Sequence, residues 1–278
     1  MTDAERVVLV TGAASGIGAA TSLAFADRGW TVYATDVESL PDPVAARCRW
    51  LELDVTSAEQ CRAVVDRVLD AAGRLDCLVN NAGYAVPGPL EDVDSDDARA
   101  LFDVLVHGPH RLSQAALPAL RRSGGRIVNV SSVLADHPSL GVGAYCGGKA
   151  ALSAMTHTLR MELADTAVGV SLVEPAWVTT DFADSAREKL PDDRTPTYDA
   201  VYEALEEGWV LENDLLAVTP ERVAEQILAA ATDADPRPRY PVGPSAKFAR
   251  WTEWLPRRFS DPVQRWFGRA SVGLNRWL

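Results

Sequence analysis

Thr11-Gly12-Ala13-Ala14-Ser15-Gly16-Ile17-Gly18 is the stretch that decides the fold. Residues 7–10 before it are Val-Val-Leu-Val, and residues 17–28 carry apolar side chains at helical spacing and close at Gly29. The order is therefore buried strand, tight turn, helix. Gly12 permits the turn, Gly16 lets backbone approach a diphosphate, and Gly18 permits close helix–sheet packing. The helix N-terminus, around Ile17, offers unpaired N–H groups and a positive dipole end to phosphate. Three glycines alone are a weak signal, but between a strand and a helix they point to a dinucleotide. Asp36 falls eighteen residues after Gly18, at the end of a second apolar run over 31–35. An acid there can bind the ribose hydroxyls of NAD and repel the 2′-phosphate of NADP. Ser15 brings no positive charge for that phosphate. NAD is the expected cofactor, with NADP the less favoured.

The same alternation continues outward. Residues 50–53 form a third strand ending at Asp54, and 75–79 a fourth ending in Asn80-Asn81-Ala82-Gly83. Residues 126–130 form a fifth, running into Ser131-Ser132, and 169–173 a sixth before Glu174-Pro175. Residues 239–242 supply a last strand. Helices fit 57–72, with Ser57 as N-cap and Gly73 beyond the end, then 95–122 and 144–164. Thr219-Pro220-Glu221 starts another: Thr as N-cap, Pro at the first helical position, an acid in the first turn. Alternating strands and helices imply α/β architecture, a doubly wound parallel sheet covered on both faces. Residues 1–243 read as one domain, 181–218 as an insertion without periodicity, and 244–278 as a C-terminal extension.

Tyr145 and Lys149 stand at i and i+4, on one helix face. A phenol is a poor base at neutral pH, and a neighbouring ammonium stabilises tyrosinate and lowers its pKa. The pair can then accept a substrate hydroxyl proton. Ser132, thirteen residues before Tyr145, can hydrogen-bond the same oxygen. Together, Thr11 to Gly18, Asp54-Val55, Asn80-Asn81-Ala82-Gly83, Ser131-Ser132, Tyr145 with Lys149, and Pro175 with Val178 and Thr180 resemble the short-chain dehydrogenase/reductase family. They run in family order over residues 5–181.

The resemblance implies a Rossmann-like domain, dimeric or tetrameric, that binds a nicotinamide cofactor. It assigns Tyr145 as general acid/base, Ser132 to the substrate oxygen, and Lys149 to the nicotinamide ribose and the Tyr145 pKa. It sets Asp54 and Val55 beside the adenine, Asn81 and Gly83 along the cofactor channel, and Pro175, Val178 and Thr180 at the carboxamide. The implied reaction moves hydride between the cofactor and a secondary alcohol or ketone. Two positions depart from the family. An Asn of its proton relay corresponds to Leu105, whose side chain makes no hydrogen bond; its Pro-Gly is Pro175-Ala176. A weakly catalytic or non-catalytic NAD-binding regulator, and an epimerase on the same fold, are the rival readings.

The remaining residues bound the alternatives. The 278-residue chain has 27 Lys and Arg against 39 Asp and Glu, a net charge of −12, so non-specific nucleic-acid binding is not expected. The charge is uneven: residues 244–278 carry +5 and four of the eight tryptophans, and residues 1–243 carry −17. That tail has three readings: packing on its own subunit or a partner copy, lining the substrate mouth, or peripheral contact with an anionic membrane. Cys48, Cys61, Cys77 and Cys146 lack paired spacing, so a reducing cytoplasm is expected. Neither a leader nor a membrane span is read. His107, His110, His137 and His157 lack metal spacing, so no metal is expected. The resemblance implies that 181–218 covers the substrate as a lid, and the aromatic surface of Trp177, Phe182, Trp209 and Val210, in or near it, would suit an apolar one.

Overall fold

The fold was analysed in a computed structural model that describes residues 5–207, 217–244 and 246. Among them, seven parallel strands form one sheet in the order β3-β2-β1-β4-β5-β6-β7. These are β1 (Val7–Thr11), β2 (Thr31–Asp36), β3 (Arg49–Glu52), β4 (Cys77–Asn80), β5 (Arg126–Val130), β6 (Gly169–Pro175) and β7 (Arg239–Val242). The helices are α1 (Gly16–Asp27), α2 (Asp42–Ala45), α3 (Ala58–Ala72), α4 (Ser95–Phe102) and α5 (Gly108–Ser123). They continue with α6 (Gly143–Glu162), α7 (Phe182–Arg187), α8 (Asp199–Glu206) and α9 (Pro220–Thr232).

The apolar run of β1 is explained by burial on both faces. Val7 and Leu9 pack with Val64 and Val68 of α3 and Leu112 and Ala116 of α5. Val8 and Val10, one residue out of phase, pack with Phe25 of α1 and with Val223 and Ile227 of α9. Each fully buried Val or Leu contributes about 1.5–3 kcal/mol. The strand order reverses between β1 and β4, which makes the carboxyl ends of those two strands the natural crevice for a ligand. This is the expected Rossmann-like architecture.

Local signals set several boundaries. Ser57 Oγ accepts from the Gln60 amide, and Gly73, at φ 73°, closes α3. Thr219 Oγ caps α9 ahead of Pro220. Three features depart from the sequence reading. The helix expected over 95–122 is α4, a π-helical turn (Asp103–His107) and α5 in one run, because a 3.6-residue period cannot reveal one extra residue in a turn. The insertion read as lacking periodicity contains α7 and α8, of six and eight residues, too short to show it between Pro191, Pro196 and many acids. The single-turn α2, begun by Asp42-Pro43, went unanticipated. Trp209 and Val210, and the C-terminal extension apart from residues 244 and 246, lie outside the described residues. Among the described residues no helix is long and apolar enough to cross a membrane.

Candidate active site

At the carboxyl end of β1 the chain folds back so tightly that side chains are excluded. A Cβ on Gly12, whose φ is +67°, would lie 2.8 Å from the Ala82 Cα. A Cβ on Gly18 would lie 1.8 Å from the Gly12 carbonyl oxygen, so Gly18 packs against the turn itself. Asn81 Nδ2 donates to the carbonyls of Thr11 and Gly12 at 3.0 and 3.1 Å. In return Thr11 Oγ accepts from the amides of Asn81 and Ala82. Asn81 thus grips the turn from β4, and its side chain is committed to backbone there. Ser15 is the N-cap of α1 without a side-chain capping bond, and no acid occupies the first turn, where Ile17 sits. The helix N-terminus is left for an anion, and the glycine turn gives it the close approach a diphosphate needs. The residues present therefore fit a dinucleotide.

Asp36 reaches back to the same turn. Its carboxylate accepts from the Ala14 amide at 2.9 Å and from the amides of Val37 and Glu38. Val37, the next residue, is exposed and uncharged. Asp54 caps its own turn by accepting from the Thr56 amide and hydroxyl. Val55 is buried so close to Gly108 that a Cβ there would lie 2.9 Å from its Cγ2. Opposite the glycine turn, β6 ends at Pro175, Val178 pairs with Val218, and Thr180 brings its γ-methyl 3.1 Å from where a Cβ on Gly16 would stand.

Ser132, Tyr145 and Lys149 converge at the carboxyl end of β5. All three are buried. A side-chain hydrogen bond joins Tyr145 to Ser132. Lys149 Nζ lies 5.7 Å from the Tyr145 ring centroid and donates to the Val130 carbonyl at 2.8 Å. The Phe182 ring meets Tyr145 edge-on, centroids 5.7 Å apart. The expectation that Lys149 lowers the Tyr145 pKa is corrected here. Burial pushes the phenol up, and the Ser132 hydrogen bond opposes that only in part. The same burial pulls Lys149 down to about 8. Both groups lose water on entering this site, which penalises each charged form.

Leu105 is fully buried at the centre of the π-helical turn. Its two δ-methyls lie 2.8 Å and 3.0 Å from the positions that Cβ atoms on Gly83 and Gly148 would take. Leu105 therefore seals the seam between the loop after β4 and the helix carrying Tyr145. Trp177 offers its carbonyl to the Val218 amide, next to the segment bearing Val178.

Two groupings escaped sequence reasoning. Asp92 accepts from the Thr195 amide and hydroxyl and from the Tyr202 hydroxyl, tying the loop after β4 to the segment holding α7 and α8. Arg239 bonds both Glu174 and Asp136. No motif announces either, because the partners are more than sixty residues apart.

Residues 6–191 match the family described as short chain dehydrogenase. The chain is 36% identical over 200 residues to a Thermotoga maritima 3-oxoacyl-[acyl-carrier-protein] reductase, covering 67% of this chain and 78% of that one. It is similar to the crystal structure of a short-chain dehydrogenase from Streptomyces avermitilis, with TM-score 0.78, 30% identity, and 100% and 99% of the two chains covered. It also resembles a Burkholderia phymatum short-chain dehydrogenase/reductase in complex with NAD, at TM-score 0.72 and 27% identity over 83% of this chain and 87% of that one. A Burkholderia cenocepacia short-chain dehydrogenase in complex with NADP aligns at TM-score 0.74 and 27% identity over 95% and 99%.

Proposed function

This chain belongs to the short-chain dehydrogenase family, oxidoreductases acting on CH–OH groups, and we propose that it uses NAD to interconvert an apolar secondary alcohol and its ketone. The observation that carries this reading is the buried cluster of Ser132, Tyr145 and Lys149, with Phe182 packed edge-on against Tyr145. In the oxidising direction Tyr145 takes the hydroxyl proton of the alcohol; in the reducing direction it returns one. Ser132 holds the substrate oxygen and, through its hydrogen bond, favours the phenolate. The Lys149 ammonium holds a ribose hydroxyl. A bound nicotinamide supplies the hydride chemistry.

The backbone of Gly12 to Gly18 receives the diphosphate. Asp36 meets the adenosine ribose, and Asp54 with Val55 the adenine. Asn81 and Gly83 border the channel, while Pro175, Val178 and Thr180 meet the carboxamide. The acid at position 36, followed by the exposed and uncharged Val37, supports NAD over NADP. The contact of Phe182 with Tyr145, in an apolar cluster that also holds Val86, Tyr202 and Leu205, supports an apolar substrate. The intact cluster weighs against a non-catalytic regulator, whose sole support was Leu105.

The test is a panel of secondary alcohols and ketones with NAD(H) and NADP(H), followed by cofactor absorbance. Tyr145→Phe is expected to lower turnover at least about a hundredfold with cofactor affinity nearly unchanged. Turnover retained in that variant would overturn the mechanism, and tighter binding of NADP would overturn the cofactor preference.

A further inference from the structure

We infer that Arg239 is a positioning residue, which holds the turn bearing Ser132 against the end of β6 and thereby sets the hydrogen bond between Ser132 and Tyr145. The inference rests on the reading of Ser132 and Tyr145 as the reacting pair.

Arg239 opens β7 and pairs with Leu172 of β6. Glu174 is two residues further along β6, so its side chain is on the same face of the sheet. Arg239 Nε donates to both Glu174 carboxylate oxygens, at 2.9 and 2.8 Å. Glu174 is only 4% exposed, and a carboxylate this buried requires a cation. That requirement is met by the pair alone. The guanidinium nevertheless makes a further bond, to Asp136, which is only half-buried.

Asp136 closes the short turn Val133–Ala135, and Ser132 opens it. Ser132 Oγ accepts from the Leu134 amide at 3.1 Å, and the Ser132 carbonyl accepts from the Ala135 amide. The Asp136 amide donates to the Val133 carbonyl. A turn this short transmits a displacement at one end to the other. Pulling Asp136 toward Glu174 therefore fixes where Ser132 Oγ points. The Ser131 amide, donating to the Val173 carbonyl at 2.8 Å, is the hinge on the strand side. Glu174 in turn leads straight into Pro175 and the segment that carries Val178 and Thr180. One guanidinium thus couples the residue proposed to hold the substrate oxygen to the segment proposed to hold the carboxamide.

Asp136→Asn in the full chain is the direct test, since it cuts the Ser132 arm and leaves the buried pair of Arg239 and Glu174 intact. Among the described residues, the groups facing Tyr145 are Ser132 from the turn, Lys149 and Cys146 from α6, and the uncharged Phe182 ring. Only the first should change. Turnover should fall about tenfold, because small displacements of a reacting group are costly. The pH profile for alcohol oxidation should move to higher pH, as a loosened Ser132 favours the phenolate less. Melting temperature and cofactor affinity should stay unchanged. Arg239→Met with Glu174→Gln removes both charges of the buried pair, takes its cation only from the half-buried Asp136, and should give the same kinetic signature in a folded protein. Wild-type turnover and pH profile in either variant would overturn the inference. Hydrogen exchange at the Leu134 amide keeps the test independent of the proposed reaction. Faster exchange in Asp136→Asn supports positioning even where no alcohol of the panel is turned over, an outcome that would instead sink the proposed function. Unchanged exchange overturns the positioning role.

Discussion

The site has two walls held by different means. On the β1 side the glycine turn is held through its own backbone atoms: Gly18 against the Gly12 carbonyl, Asn81 on the Thr11 and Gly12 carbonyls, and Asp36 on the Ala14 amide. On the side proposed as the lid, α8 and the turn before it are tied down by side chains far apart in sequence. Asp92 meets Thr195 and Tyr202 across separations of 103 and 110 residues, and Glu91 meets Tyr198 across 107. A backbone-built wall tolerates few sequences and presents the same atoms to any bound group. A wall of side-chain pairs can be rebuilt around a different molecule without disturbing the first. The division matches a cofactor common to many enzymes on one side and a particular substrate on the other.

The sharpest way to break this contrast is Gly18→Ala. The added Cβ would overlap the Gly12 carbonyl oxygen and press on Asn81 Nδ2, 2.7 Å away, so the turn must shift. Cofactor affinity, followed by fluorescence titration, should fall at least about a hundredfold, and melting temperature should drop. Unchanged affinity would mean that the backbone of this turn does not set the cofactor site.

The same contrast explains what the sequence made legible. The glycine turn, the run of β1, the caps at Ser57 and Thr219 and the pair of Tyr145 and Lys149 depend on residues within a few positions of one another, so spacing alone exposes them. The π-helical turn was hidden because Leu105 keeps the apolar pattern of an ordinary helix while one added residue rotates the register. Asp92 belongs to a run of acids in which Asp94 caps α4, so nothing in their spacing sets Asp92 apart. Arg239 pairs with acids 65 and 103 residues away, which no local pattern records. The direction of the Tyr145 pKa was missed for a related reason: adjacency to Lys149 can be counted along a helix, but desolvation depends on everything that covers it.

Leu105→Asn probes the seam between the loop after β4 and α6. The position is sealed by contacts at Gly83 and Gly148, so an amide there loses water without an evident partner. A stability loss of about 1–3 kcal/mol in denaturant unfolding is expected. Stability equal to wild type would show that the seam holds room for water. In that case the Asn of the family's proton relay could be accommodated here, and a gain in turnover would follow.

The smallest expected effect comes from Asp92→Ala, and it separates the walls most cleanly. Hydrogen bonds from Thr195 and then Tyr202 hold the Asp92 carboxyl below the usual carboxylate range, which marks the anion as their preferred acceptor. Removing it frees both donors while leaving every contact of the glycine turn in place. The segment that carries Phe182 should then sit less firmly over Tyr145. KM for the alcohol should rise about fivefold, with cofactor affinity unchanged and kcat reduced less than KM is raised. An equal loss of cofactor affinity would mean that the two walls move as one body. That outcome would remove the division of labour between backbone and side chains, because the lid would then be part of what forms the cofactor site.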